Sequence, residues 1–146
     1  MNIRYFFAVI FVAVLGLLTV SSVPPSVLRM DSATLKKLQE LRNLGKAMYE
    51  NPGTQIKAVE ILRQAAELNP NSAQDRLNYG LSMLRAGQGD EGILQIQRAR
   101  ELDPKLPHTY FNLGIEFKKR NEVERSIREL EKMAQLVPDE PKTSYN

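Results

Sequence analysis

The run Gly87–Gly92 reads GQGDEG and matches the G-x-G-x-x-G pattern that holds phosphates in dinucleotide-binding proteins. That chemistry needs a strand before the glycines and a helix after them, so that backbone N–H groups face the phosphate. Here a helical apolar pattern precedes the run and a second helical pattern follows it. We therefore interpret the run as the turn of a helical hairpin and predict no nucleotide site.

Other reactive side chains are few. His108 is the only histidine and the chain has no cysteine, so neither a thiol nucleophile nor a His/Cys metal site is available. We expect His108 to be an exposed side chain near the start of a helix. No carboxylates pair in the way that acid–base catalysis requires, and no serine lies in a nucleophile-elbow sequence. The sequence predicts no enzyme activity, no cofactor and no metal.

The composition of the 146 residues is that of a globular protein, with 42% hydrophobic and 25% charged residues. The 20 basic side chains nearly balance the 17 acidic ones. The basic run Lys118–Arg120 stands among Glu116, Glu122 and Glu124, which favours a balanced, solvated face. We expect no nucleic-acid partner, because the sequence has no continuous basic stripe.

The N-terminus has the layout of a targeting segment. Arg4 precedes an uncharged apolar run over residues 5–20, and Ser21, Ser22, Val23 and two prolines follow. Two interpretations stay open: a secretory signal cleaved after Ser22, or an uncleaved anchor that crosses the membrane through residues 5–23. Residues 1–23 would form a hydrophobic helix and residues 24–31 a linker. Either interpretation predicts that the rest of the chain is exported, to the periplasm or the extracellular space, or is anchored at the membrane.

The residues that follow the N-terminal segment contain an internal repeat. Pro70, Pro104 and Pro138 follow one another at intervals of 34 residues, and each ends a helical pattern. A residue pair ending in glycine recurs at 44–45, 79–80 and 113–114, with one extra residue in the turn 50–53 of the first repeat. Turn residues divide each repeat into two helices. The predicted helices span about 32–50, 55–69, 73–87, 90–103, 107–121 and 123–137, and Asp31 or Ser32 caps the first.

This periodicity resembles the tetratricopeptide-repeat (TPR) family. The positions that carry the likeness in the first helices are Leu41, Leu44, Gly45 and Met48; Arg76, Tyr79, Gly80 and Met83; and Tyr110, Leu113, Gly114 and Phe117. In the second helices they are Ala58, Leu62, Ala65 and Pro70; Gly92, Ile96, Ala99 and Pro104; and Ser126, Leu130, Met133 and Pro138. Arg76 and Met133 depart from the usual residue types.

The resemblance implies an all-α fold, a TPR α-solenoid of three stacked helical hairpins behind the N-terminal hydrophobic helix. The array would cover residues 32–140, with hairpins at about 32–70, 73–104 and 107–138. Glycine inside a helix costs about 1 kcal/mol relative to alanine. Gly45, Gly80 and Gly114 are therefore expected where a neighbouring helix approaches too closely for a side chain.

The resemblance also implies a function, protein–protein interaction, in which a peptide or partner helix binds the concave groove formed by the first helices. The groove residues it suggests are Asn43, Asn78, Asn112, Arg42, Lys46, Leu77, Leu81, Arg85, His108, Phe111, Ile115 and Lys118. Asparagine amides would contact the peptide backbone, and Leu77, Leu81, Phe111 and Ile115 would form an apolar strip. Basic groove side chains would favour an acidic partner.

Residues 141–146 stand where a fourth repeat would begin, and Asn146 continues the series of Asn43, Asn78 and Asn112. We expect Val123, Ile127, Leu130 and Leu136 to be partly exposed. This suggests either a truncated reading frame or a surface that another chain completes, through which the protein could form oligomers.

A second resemblance concerns the stretches Asp75–Gly80 and Leu106–Gly114. They are similar to TPR segments that precede β-propeller and UnbV-type domains in exported bacterial proteins. That likeness implies an alternative function, in which the array is the accessory N-terminal segment of a larger multidomain protein or enzyme.

Overall fold

The structure is a computed structural model that describes residues 30–137. These residues form six α-helices and no strand. The helices are α1 (Ser32–Glu50), α2 (Gln55–Leu68), α3 (Ala73–Arg85), α4 (Gly89–Leu102), α5 (Pro107–Lys119) and α6 (Val123–Leu136). The all-helical fold and its boundaries therefore agree with the sequence prediction to within about two residues.

Capping and turn residues explain where α1 begins and where the chain reverses between helices. Asp31 caps α1 by accepting hydrogen bonds from the backbone N–H groups of Ala33 and Thr34, each at 2.9 Å. The Thr34 N–H holds the pKa of the Asp31 carboxyl below its usual value. The turn between α3 and α4 contains Gly87 at φ 83°, and the turn between α5 and α6 has Asn121 at φ 60°. Both residue types tolerate this left-handed backbone.

The helices pair as three antiparallel hairpins, α1 with α2, α3 with α4, and α5 with α6. Successive hairpins stack because α2 packs on α3 and α4 packs on α5. The central core joins the last two hairpins, and its buried members are Leu77, Ile93, Ile96, Ala99, Leu113 and Phe117. The helices α3, α4 and α5 therefore bury apolar side chains that none of them could bury alone, which is the general property of helical repeat arrays.

The three helix-interior glycines lie where the sequence places a close contact. A Cβ added to Gly45 would lie 2.5 Å from Leu62 Cδ2, and one added to Gly114 would lie 2.8 Å from Leu130 Cδ2. Gly80 is the one of the three whose added Cβ would meet backbone below 3 Å, since it would lie 2.9 Å from the oxygen of Gly92 as well as 2.8 Å from Ile96 Cγ1. The glycines therefore allow the two helices of each hairpin to approach.

The last helix is the least covered. Ser126 is the one buried residue of α6, while Val123 and Ile127 are about half exposed and Leu130 and Leu136 are partly buried. This agrees with the exposure expected from the sequence. Within the described range, no helix combines the length and the hydropathy needed to cross a bilayer. The predicted N-terminal targeting segment and residues 138–146 lie outside the described residues.

Candidate functional site

A cleft of about 550 Å³ opens between the first two hairpins. It is formed mainly by α1 and α3, with one side chain from α2. The residues that line it are Arg42, Asn43, Lys46, Tyr49, Glu50, Leu62, Gln74, Asp75, Asn78 and Leu81. Its volume lies within the range of ordinary ligand pockets, and it combines an apolar base with several polar side chains.

An ion pair between α1 and α3 lies among the residues that line this cleft. Arg42 of α1 donates from Nε to Asp75 Oδ1 at 2.7 Å and from Nη2 to Asp75 Oδ2 at 2.6 Å. Asn69 adds a hydrogen bond from Nδ2 to Asp75 Oδ2 at 2.9 Å, and Ser72 Oγ accepts from the Asp75 backbone N–H. The Asp75 side chain is 1% exposed, so its charge is compensated almost without help from water. This Arg42–Asp75 clasp fixes the position of α1 against α3.

The clasp changes the role expected for Arg42. The hydrogen bond to Asp75 raises the pKa of the Arg42 guanidinium, which therefore stays charged while two of its donor groups are already engaged. An incoming acidic group would have to compete with a buried carboxylate at ideal bidentate geometry. Arg42 thus lines the cleft, but its main contacts are within the protein.

Each of the three asparagines of the repeat series makes a hydrogen bond with the residue four positions earlier. Gln39 Nε2 donates to Asn43 Oδ1 at 2.9 Å, and Gln74 Nε2 donates to Asn78 Oδ1 at 3.0 Å, in each case from four residues earlier. In α5, His108 takes the place of the glutamine, and Asn112 Nδ2 donates to the His108 backbone oxygen at 2.7 Å. Each amide uses one hydrogen bond to hold its side chain along the helix, which leaves further donor and acceptor capacity for a ligand.

The cations near the cleft lie at its outer edge. Lys46 is exposed on α1, four residues after Arg42. Arg85, at the end of α3, stacks over the Tyr49 ring with its guanidinium carbon 4.8 Å from the ring centre. Glu50 is also part of the lining, so the edge carries mixed charge with the cations in excess. Tyr49 and Gln74 line the cleft but were not predicted from the sequence. For Gln74 a signal was available, because a glutamine stands four residues before each of the first two asparagines.

The predicted groove residues divide into four groups. Arg42, Asn43, Lys46, Asn78 and Leu81 come together in the cleft. Arg85 stands at the cleft edge, while Asn112, His108, Ile115 and Lys118 lie on α5, away from this cleft, with His108 and Lys118 exposed.

The remaining two, Leu77 and Phe111, differ from the expected apolar strip. Leu77 is 1% exposed and belongs to the core, so the prediction that it lines the groove is wrong. Arg42 occupies the equivalent position in α1 and points to the next first helix, α3. Leu77 is covered because α5 follows its hairpin. Phe111 occupies the same position in α5 and is 44% exposed.

The other reactive candidates behave as ordinary surface features. The glycine run begins in the turn after α3 and enters α4, so a helix and not a strand precedes it. The basic run beside Glu116 is partly neutralised, since Arg120 pairs with Asp90 at 2.5 Å and with Glu116 at 3.2 Å. Within the part of the chain that is described, no three His, Cys, Asp or Glu side chains cluster as metal ligands would.

Comparison with known proteins gives structural neighbours but no sequence relative. Neither a protein-family model nor a curated protein matches the chain. The crystal structure of MamA is similar over 73% of this chain and 61% of its own, with a TM-score of 0.62 and 25% identity. YrrB, a TPR protein with an unusual peptide-binding site, matches 73% of this chain and 60% of its own, with a TM-score of 0.54 and 25% identity.

A third neighbour is the second TPR of Spaghetti (RPAP3), bound to the HSP90 peptide SRMEEVD. It matches 73% of this chain and 100% of its own, with a TM-score of 0.63 and 15% identity, a level that shows the fold alone. This chain spans about three-fifths of the MamA and YrrB chains. The described residues therefore have the fold of TPR proteins, and some of their structural neighbours bind peptides.

Proposed function

We propose that this protein is an interaction scaffold that binds an extended peptide segment of a partner protein in the cleft between α1 and α3. The observation that carries the proposal is the cleft itself, because its lining brings Asn43 of α1 and Asn78 of α3 together with Leu62 and Leu81. Amide side chains can both donate to and accept from a peptide backbone. The apolar base can hold one side chain of the ligand. The bound peptide of one structural neighbour and the peptide-binding site of another support the same use.

We further propose that the partner segment is acidic. Arg42 is already neutralised by Asp75, so recognition of a carboxylate falls to Lys46 and to Arg85 at the cleft edge. Both side chains are exposed, and Arg85 would meet the ligand from its position over the Tyr49 ring. Lys118 on α5 would extend the attraction to a longer segment.

The first test is a displayed library of random peptides screened against the full-length chain. We expect enrichment of acidic sequences, whose affinity is then measured on variants. Lys46→Glu should weaken binding about tenfold, because it replaces an attraction by a repulsion, and added salt should reduce the difference. Asn78→Ala should cost about 1 kcal/mol through lost hydrogen bonds.

Lys57→Glu is the matched control, since Lys57 is equally an exposed lysine but lies on α2 outside the cleft. It should leave binding unchanged. If the enriched peptides bind the Lys46→Glu, Asn78→Ala and Lys57→Glu variants with the same affinity, the ligand binds elsewhere. That result would reject the cleft as the site.

The location we propose is outside the cytoplasm, in the periplasm or extracellular space or at the membrane, on the basis of the apolar N-terminal run. A fusion of residues 1–31 to a reporter enzyme that is active only after export should be active. Replacing two residues of the apolar run by arginine should abolish that activity.

A second candidate function is that the array is the accessory segment of a larger exported protein, with the chemistry in a further domain. The half-exposed Val123 and Ile127 of α6 favour it, because a following domain could cover them. The size of the protein detected in its native cells by an antibody against residues 31–137 separates the two functions. A mass well above 16.6 kDa supports the larger protein.

A further inference from the structure

The Arg42–Asp75 clasp lies where the next junction of the array has no charged residue. Counted from the interior glycine of each hairpin, the positions of Arg42 in α1 and Asp75 in α3 are taken by Leu77 in α3 and Thr109 in α5. Leu77 is 1% exposed and Thr109 is 0% exposed. The first two hairpins are therefore joined by an ion pair at positions where the last two hairpins have a leucine and a threonine.

Stability alone does not require an ion pair at this place. Removing a carboxylate and a guanidinium from water costs free energy that their attraction only roughly repays, so an uncharged pair of similar volume commonly serves as well. Thr109 is satisfied locally, because its Oγ1 donates to the Leu106 backbone oxygen at 2.8 Å. The chain thus contains an uncharged alternative to the clasp, which indicates that the clasp has a role besides joining two hairpins.

Arg42 differs from Leu77 in its access to a ligand. Its side chain is 35% exposed and lines the cleft, whereas Leu77 belongs to the core. The hydrogen bonds to Asp75 engage Nε and Nη2, and within residues 30–137 Nη1 makes none. Because the guanidinium is planar and rigid, fixing Nε and Nη2 also fixes the direction of Nη1. Arg42 therefore offers a donor of fixed position whose positive charge is already balanced.

The clasp also divides the cleft by charge. Lys46 follows Arg42 by one turn of α1, and Arg85 lies over the Tyr49 ring at the cleft edge. These two cations are suited to a carboxylate of the ligand. The balanced Arg42 guanidinium and the asparagine amides are instead suited to uncharged groups, because they donate hydrogen bonds without adding net charge.

On the basis of the peptide site described under the proposed function, we propose that the clasp is a recognition element for an uncharged part of the ligand. Arg42 Nη1 donates to a main-chain carbonyl oxygen of the bound segment. Asp75 is the positioning residue, which fixes the guanidinium and offsets its attraction for a carboxylate. The partner segment is therefore acidic where it meets Lys46 and Arg85, and uncharged where it meets Arg42.

The first test replaces the clasp by the pair that the chain itself uses at the next junction. The double variant Arg42→Leu/Asp75→Thr is compared with the wild-type full-length chain for binding of the tightest peptide selected on the wild type. We expect a loss of about tenfold, because the ligand loses a hydrogen bond from a charged donor. Circular dichroism should show an unchanged helical fold. Unchanged affinity of the folded double variant would overturn the inference.

The second test distinguishes recognition from a purely structural role. In the Asp75→Asn variant Arg42 keeps a hydrogen-bond acceptor but is no longer neutralised. Each uncharged residue of the selected peptide is replaced by glutamate in turn, and each peptide is measured on both chains. We expect one position at which glutamate raises affinity about tenfold on Asp75→Asn and not on the wild type, because Arg42 can then pair with it. A purely structural clasp gives no such position.

Asp90→Asn is the matched control for this scan. It makes the same charge change beside another arginine, Arg120, which does not line the cleft. No peptide position should gain affinity on it relative to the wild type. If no position distinguishes Asp75→Asn from the wild type, or if Asp90→Asn gives the same gain, the inference is overturned.

The variants of the previous subsection separate this inference from the proposed function. If Lys46→Glu and Asn78→Ala both leave the peptide affinity unchanged, the cleft is not the site, and the proposed function fails together with the inference. If both weaken binding while the clasp variants behave as the wild type does, the cleft remains the peptide site. In that case only the part assigned to the clasp is rejected.

Discussion

At the scale of single residues, the Arg42–Asp75 clasp is the polar feature on which the cleft most depends. Its carboxylate is buried and its guanidinium is about one-third exposed, at 35%. Removing the two partners should therefore have unequal effects. Arg42→Ala leaves a negative charge buried with only Asn69 and Ser72 as partners, whereas Asp75→Ala leaves a cation that can turn toward water.

We expect Arg42→Ala to lower the free energy of unfolding by about 3 kcal/mol and Asp75→Ala by about 2 kcal/mol. Urea unfolding followed by circular dichroism measures both. Arg63→Ala is the control, because Arg63 pairs with Glu60 and Glu67 on the exposed surface of α2, and it should leave the midpoint almost unchanged. Equal effects of all three substitutions would mean that the clasp adds nothing to stability.

At the scale of helices, the three interior glycines should differ in their tolerance of alanine. The Cβ added to Gly80 meets the backbone oxygen of Gly92, which cannot move without shifting α4. The Cβ added to Gly45 meets side-chain atoms alone, those of Leu62 and Ile61, which can shift without moving the backbone of α2. We expect Gly80→Ala to destabilise the protein by about 2 kcal/mol and Gly45→Ala by less, since alanine also improves helix propensity.

Gly53→Ala serves as the control for these substitutions, because its added Cβ would have its nearest neighbour at 3.8 Å. Thermal unfolding of the three variants gives the ranking. A Gly80→Ala protein as stable as the Gly53→Ala protein would show that α3 and α4 can separate at little cost.

The helices and glycine contacts were predictable because their signals are local or periodic. Turn residues and prolines mark the ends of each helix. A glycine that recurs at the same position of every repeat indicates that the two helices of each hairpin approach closely there. The clasp was not predictable, because Arg42 and Asp75 lie 33 residues apart and neither type recurs at the equivalent positions of the later repeats. The burial of Leu77 was missed for a related reason, since it depends on a neighbouring hairpin and not on its own helix.

At the scale of the whole molecule, the stacked hairpins should differ in local stability. The core cluster lies in α3, α4 and α5, while α6 buries one small side chain. In an array whose hairpins contact only their neighbours, an end helix opens without unfolding the centre.

Amide hydrogen exchange of the full-length chain should therefore be slowest in α3 to α5 and fastest in α6. Uniform protection along all six helices would contradict this distribution of stability.

The clasp has a consequence for the order of the hairpins. At the first junction Arg42 and Asn69 donate to Asp75, but the residues at the same positions of the third hairpin are Phe111 and Val137. Transplanting the third hairpin in front of the second would set two apolar side chains against Asp75 and remove both side-chain donors that its carboxylate has at that junction. The three hairpins share a backbone shape, but the side chains at their junctions differ in charge and polarity. The order of the hairpins along the chain is therefore not interchangeable.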